Sequence, residues 1–143
     1  MRLSEEAVGL LRQAARVIPG PAYLVGGALR DALLGRPTID LDMAAFEARK
    51  SSQKLAKTLG GSFVPLDEDN GVYRIVLKRP QGPVRQIDVA KLQGAGIEAD
   101  LDRRDFTINA MALPLLPALP AAALDESRLL DPRGGLADLR KRL

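Results

Sequence analysis

Apolar residues recur at near-helical spacing over the first eighteen positions, where Val8, Leu11, Ala15 and Ile18 are separated by Glu5, Glu6, Arg12, Gln13 and Arg16. Ser4 ahead of two glutamates is a helix N-terminus signature, so a helix is predicted over residues 4–18, ended by Pro19-Gly20-Pro21. The period then changes. "AYLV" (22–25) is a short apolar run closed by Gly26-Gly27, the pattern of a buried strand ending in a turn, and "ALRDALLG" (28–35) reads as the next helix with Gly35 at its end. In "TIDLDMA" (38–44), Ile39, Leu41 and Met43 alternate with Asp40 and Asp42. Strict alternation marks a strand with one face in the core, which puts both acids on the other face.

"FEARKSSQKLAKTLGG" (46–61) is a lysine-rich surface helix ending in paired glycines. Three further strands are predicted in "SFVPL", "VYRIVLK" and "VRQIDVAKL", separated by the turn signals "DEDNG" and "RPQGP", with the last two forming a hairpin. "DLDRRDFTINAMAL" (100–113) reads as a helix entry followed by an apolar stretch, with Asp105 and Asn109 four apart on one helix face. "PLLPALPAAAL" (114–124) is a Pro- and Ala-rich surface connection, and "LLDPRGGLADLRKRL" a last turn and helix with a basic end. There is no internal repeat. The pattern predicts an α/β domain (α+β in arrangement): a mixed, mostly antiparallel sheet of about five strands, helices chiefly on one face, and the active face open.

Composition narrows the chemistry more than the fold. At 143 residues and 46% hydrophobic content, one core is expected. With neither cysteine nor histidine, disulfides, thiolate or imidazole metal sites and imidazole general bases are excluded. Carboxylate, ammonium, guanidinium and hydroxyl chemistry remain. The formal charge of +3 leans toward a phosphate-bearing partner, while 3% aromatic residues argue against a platform of stacked bases. No continuous apolar segment of membrane-spanning length opens the chain, so a cytoplasmic address is expected, with no membrane partner.

Neighbouring acids on one strand face repel, and a hard divalent cation relieves the conflict, so Asp40 and Asp42 are candidate ligands for Mg²⁺ or Mn²⁺. Taken alone, a D-x-D is more often a solvated strand face. Asp88 is a candidate third ligand if its strand neighbours theirs, and otherwise one more exposed acid. Gly26-Gly27 ahead of a helix lets the backbone approach an anion such as a triphosphate, although an ordinary tight turn is the commoner use of such a pair. Arg30 on that helix could reach the phosphate, with Asp31 as its anchor or a surface ion-pair partner. Arg103 and Arg104 suit phosphate, and Asp105 and Asn109 suit sugar hydroxyls. In combination these are the parts of metal-assisted nucleotidyl transfer.

The stretches "LVGGALRDALLGRPTIDLD", "DLDRRDFTINAMA" and "LLDPRGGLADL", in this order over residues 24–139, resemble the head domain of the class II tRNA nucleotidyltransferase and bacterial poly(A) polymerase family, within the polymerase β-like superfamily. The resemblance implies that Asp40 and Asp42 carry catalytic metals, that Gly26, Gly27 and Arg30 hold the triphosphate, and that Arg103, Arg104, Asp105 and Asn109 contact the incoming nucleotide. It also implies that Asp131, Gly134, Gly135 and Asp138 belong to a hinge between head and neck. The expected partners are CTP or ATP and the 3′ end of tRNA, whose hydroxyl attacks the α-phosphate while pyrophosphate leaves. On this reading residues 1–143 are one head domain, with residues 1–20 as its N-terminal helix and 131–143 starting the connection to a neck. Neck, body and tail are not in the sequence, which is either the head of a longer enzyme or a stand-alone head.

Two departures from the family pattern stand out. Between Lys91 and Asp100 only "LQGAGIEA" connects strand to arginine motif, where A-adding members have a longer loop, so C is favoured over A. Lys91 stands where an arginine is usual, keeping charge without the planar fork. Alternative functions are transfer to another RNA, a protein or a small molecule, nucleotide binding without turnover, and a purely structural role.

Overall fold

The computed structural model describes residues 3–80, 82–94, 96–104, 106–115 and 128–141. Helix α1 (Glu5–Val17) begins as its sequence dictates, with the Ser4 hydroxyl accepting the Ala7 N–H at 3.1 Å and two glutamates in the first turn. Strand β1 (Ala22–Val25) runs into α2 (Gly26–Leu33), and β2 (Asp40–Ala45) into α3 (Ala48–Leu59), which Gly60 ends in a left-handed conformation. Strands β3 (Ser62–Asp67), β4 (Val72–Val76) and β5 (Gln86–Lys91) follow. Helix α4 (Ile97–Asp102), a 3-10 turn (Thr107–Asn109), β6 (Ala112–Pro114) and α5 (Gly135–Lys141) complete the described chain.

Among the described residues the sheet has six strands in the order β3-β4-β5-β2-β1-β6, one more than expected. The addition, β6, is the apolar stretch after the arginine motif, paired to β1 with Val25 opposite Ala112. Among the described strands only the central pair, β2 with β5, is parallel; β4 and β5 pair antiparallel, as expected of a hairpin.

One face of the sheet carries the core. Leu24, Leu41, Met43, Ile75, Ile87 and Val89 are at most 1% exposed and pack with Val8 and Leu11 of α1, Leu29 of α2 and Leu55 of α3. At about 1.5–3 kcal/mol for each large aliphatic side chain buried, this face dominates stability and fixes strand parity. Among the described residues the opposite face has a small cluster, Val25, Ala44, Leu92, Leu101, Ala110 and Ala112, where α4 packs over β1 and β2. Elsewhere on that face Asp40 is exposed and Asp42, Arg74, Gln86 and Asp88 are half-buried.

The expectation of one helix running through Arg103 and Arg104 to Asn109 is corrected. Helix α4 stops at Asp102, Phe106 is extended (φ −112°, ψ 135°), and Asn109 lies in the separate 3-10 turn, so four-residue spacing gives no shared helix face. Tertiary bonds explain the break. The Arg104 side chain turns back onto Asp100 and onto the Asn109 carbonyl, and the Thr107 hydroxyl bonds Asp138 of α5. Asp105 lies outside the described residues, as does most of the Pro- and Ala-rich connection. Among the described residues no helix is long and apolar enough to cross a membrane.

Candidate active site

Core packing of Leu41 and Met43 turns Asp40 and Asp42 onto the open face together. The parallel register sets Asp42 beside Asp88 and Asp40 beside Gln86, so three acids gather in the middle of the sheet. The condition placed on Asp88, that its strand neighbour β2, is met.

Asp42 is anchored by the backbone. Its Oδ2 accepts the Ala28 N–H at 3.2 Å, which ties the acid to the start of α2. The bend leading into that helix occurs at Gly26, whose φ of 62° L side chains rarely adopt. A Cβ at Gly26 would lie 3.4 Å from Asp42 Oδ2, and one at Gly27 would lie 3.7 Å from that oxygen and 3.3 Å from Arg30 Nη2. Acid, glycine bend and guanidinium therefore share one small cradle. Arg30 also faces Asp31, with Nε 3.5 Å from Oδ1 in a partly exposed pair. Burial pushes the Asp42 carboxyl above its usual range; the Ala28 N–H opposes this, Asp88 and Asp40 add to it, and Arg30 opposes it.

Asp88 is held differently. Arg74 of β4 lies directly opposite it and grips it with both arms of its fork, Nε to Oδ1 at 2.8 Å and Nη2 to Oδ2 at 3.0 Å. Among the described residues no group of three acidic side chains converges closely enough to hold a metal ion. A two-carboxylate site at Asp40 and Asp42 does fit a hard cation: the donors are all oxygen, and Gly26 and Gly27 put no side chain of their own beside Asp42, where Arg30 is the neighbouring group.

The arginine motif lies to one side, where the 3-10 turn packs against α2. Arg103 caps α4 and is exposed. Arg104 bonds Asp100 Oδ1 through Nε at 3.0 Å and the Asn109 carbonyl through Nη1 at 3.1 Å, so its guanidinium is fixed. The segment expected to form the hinge packs against the arginine motif. Asp131 accepts the Gly135 and Leu136 N–H groups at 2.6 and 3.0 Å, capping α5, and Arg133 donates to the Arg104 carbonyl. Gly135 sits so close to the Thr107 carbonyl that a Cβ there would come within 2.1 Å of the oxygen.

Two residues escaped the sequence reading. Arg74 lies on the polar face of an alternating strand, and pairing that strand with "VRQIDVAKL" would have exposed its partnership with Asp88. Asp100, 2% exposed, stands four residues before Arg104, the helical spacing of an ion pair.

Comparison with known proteins identifies the family. Residues 22–143 match the model of the poly A polymerase head domain. The chain is 45% identical over 123 residues to a CC-adding tRNA nucleotidyltransferase of Geobacter sulfurreducens, covering 85% of this chain and 26% of that protein. It is 40% identical over 125 residues to an A-adding tRNA nucleotidyltransferase of Deinococcus radiodurans, covering 87% and 25%. Its fold is similar to a solved CCA-adding enzyme in an apo form, with a TM-score of 0.80, 32% identity, and coverage of 98% of this chain and 33% of that one. The chain thus spans about a quarter of the length of these curated relatives. On the family match and these identities, the chain belongs to the poly A polymerase head domain family.

Proposed function

We propose that the chain is the catalytic head of a template-independent nucleotidyltransferase that adds C, in preference to A, to the 3′ end of tRNA. One observation carries the reading: Asp40 and Asp42 share the open face, and Asp42 is bonded to the start of the helix that the Gly26 bend and Arg30 accompany. Asp40 and Asp42 would hold Mg²⁺ or Mn²⁺, which supplies Lewis-acid polarisation of the phosphoryl group and charge neutralisation there. Gly26 and Gly27 leave room for a triphosphate against the backbone, and Arg30 offsets its charge. Arg104, held by Asp100, presents fixed donors to the nucleotide, with Arg103, Asp105 and Asn109 contributing along the same segment. The open sheet face admits a polymer end as acceptor. The relatives' names support tRNA as that acceptor, and solved CCA-adding enzymes in complex with ATP and with CTP support those nucleotides as donors.

The preference for C rests on the short segment 92–99 between Lys91 and Asp100, whose start is tied back where the Asp100 carboxylate accepts the Gln93 N–H at 2.8 Å. The test is incubation with tRNA transcripts ending before, within and after CCA, each nucleoside triphosphate supplied separately with Mg²⁺, using the chain alone and joined to the neck and body of a relative. Expected is C addition that Asp40→Ala and Asp42→Ala abolish. Turnover surviving either substitution refutes the site, and efficient terminal A addition refutes the preference.

A further inference from the structure

Arg74 is a residue for which nothing in the proposed reaction has yet accounted. It stands on the open face one strand beyond Asp88, which itself stands beside Asp42. Asp88 is therefore flanked by a like charge on β2 and an opposite charge on β4. The pair is two-pronged and partly shielded, with 32% of the Arg74 and 21% of the Asp88 side chain exposed. Paired this way, both Asp88 oxygens are bonded to Arg74 on the side away from Asp42.

We propose that Arg74 is a positioning residue that keeps Asp88 off the divalent cation, so that the head presents two carboxylates to the ion instead of three. The inference rests on the assignment of the cation to Asp40 and Asp42 made above. Its chemical sense lies in how Mg²⁺ is used: the ion is commonly bound by one or two carboxylates and completes its shell with water and substrate phosphates. A third protein carboxylate would fill a position the triphosphate needs and would hold the ion on the empty head. With Asp88 tied to Arg74, the cation binds weakly alone and comes to the site with the nucleotide.

The test uses Mn²⁺ alone, without nucleotide, on the full 143-residue chain. Free Mn²⁺ is measured by electron paramagnetic resonance, and the waters bound to the ion are counted by water-proton relaxation. Asp42→Asn should weaken binding more than tenfold, whereas Asp88→Asn should change it less than threefold. Arg74→Gln should tighten binding at least tenfold and remove one bound water, and Arg74→Gln with Asp88→Asn should restore the wild-type water count. Arg74→Lys keeps the charge but loses the planar fork, so it should show part of the gain. It also serves if Arg74→Gln fails to fold.

A loss of more than threefold in Asp88→Asn would mean that Asp88 already ligates the ion, and the proposal would be wrong while the cation site stood. A gain in Arg74→Gln with the water count unchanged, or no gain, would equally overturn it, because removal of a positive charge alone strengthens the field without adding a ligand. If Asp42→Asn does not weaken Mn²⁺, or no protein binds it, the cation assignment falls and the proposal with it.

Discussion

Replacing Asp100 with alanine tests whether the arginine motif is held in place by one carboxylate. Asp100 is 2% exposed; its Oδ2 accepts the Gln93 N–H at 2.8 Å, and its Oδ1 accepts Arg104 Nε and Nη2, each at 3.0 Å. Truncation strips partners from two elements at once. An orphaned, part-buried N–H costs about 1–3 kcal/mol. Breaking a fully buried ion pair costs about 3–5 kcal/mol, but with 23% of its side chain exposed Arg104 recovers some hydration, and most of that figure is lost to solvent. The two together come to roughly 2–4 kcal/mol. At about 2.1 cal/mol/K per residue, a loss near 3 kcal/mol lowers the melting temperature by roughly 10 °C. Urea unfolding of wild type, Asp100→Ala and Asp100→Asn, followed by circular dichroism, measures the effect. Asparagine keeps an acceptor for Gln93 and loses the charge on Arg104, so it should fall between the others. A loss below about 0.5 kcal/mol in Asp100→Ala would show that neither bond constrains the fold.

Gly135→Ala should undock α5 from the 3-10 turn, because its Cβ would lie 2.1 Å from the Thr107 oxygen and 3.1 Å from Met111 Cγ. Overpacking of this kind costs about 1–3 kcal/mol or more, read by urea unfolding, and an unchanged midpoint would contradict the close contact. The third prediction concerns pH. Burial raises the Asp42 pKa above 3.8, so between that value and the raised one the folded chain binds more protons than the unfolded chain. The contribution of Asp42 to the stability of the metal-free protein should therefore decline as pH rises through this window and level off above it. Other carboxylates titrate alongside, so the informative quantity is the unfolding midpoint of wild type minus that of Asp42→Asn across pH 4–7. A difference that grows with pH would reverse the sign of the argument.

Much of the fold was readable because one-sided burial writes itself into the period. The helix expected over residues 4–18 and found at Glu5–Val17, the alternation around Asp40 and Asp42 and the glycine stop at Gly60 all follow from local pattern. What local pattern does not encode is adjacency. Strands β2 and β5 are separated by α3 and a hairpin, so the parallel register that sets Asp42 beside Asp88 comes from tertiary packing. The sixth strand is three residues long and ends at Pro114, too short to show a period, and only its pairing with β1 makes it a strand. The segment after Asp102 misleads for a related reason. Its spacing is helical, yet contacts with Asp100 and Asp138 pull the chain into an extended residue and a 3-10 turn.

The candidate site follows from core packing joined to sheet parity. Leu41 and Met43 on β2, and Ile87 and Val89 on β5, must face the helices, and a one-residue slip in either strand would expose two large apolar side chains. The same choice leaves Asp40, Asp42 and Asp88 on the opposite side, where none of the described helices covers the middle of the sheet. Repulsion among these acids is thus imposed by a stronger apolar demand, and the protein relieves it locally with Arg74 on one flank and with the Ala28 N–H and Arg30 on the other. These two reliefs differ in kind. Arg74 occupies both oxygens of Asp88, whereas the Ala28 N–H takes one oxygen of Asp42 and leaves the carboxylate able to bind a further positive group. That asymmetry is the physical ground for assigning the cation to the side of the face where β2 meets the glycine bend.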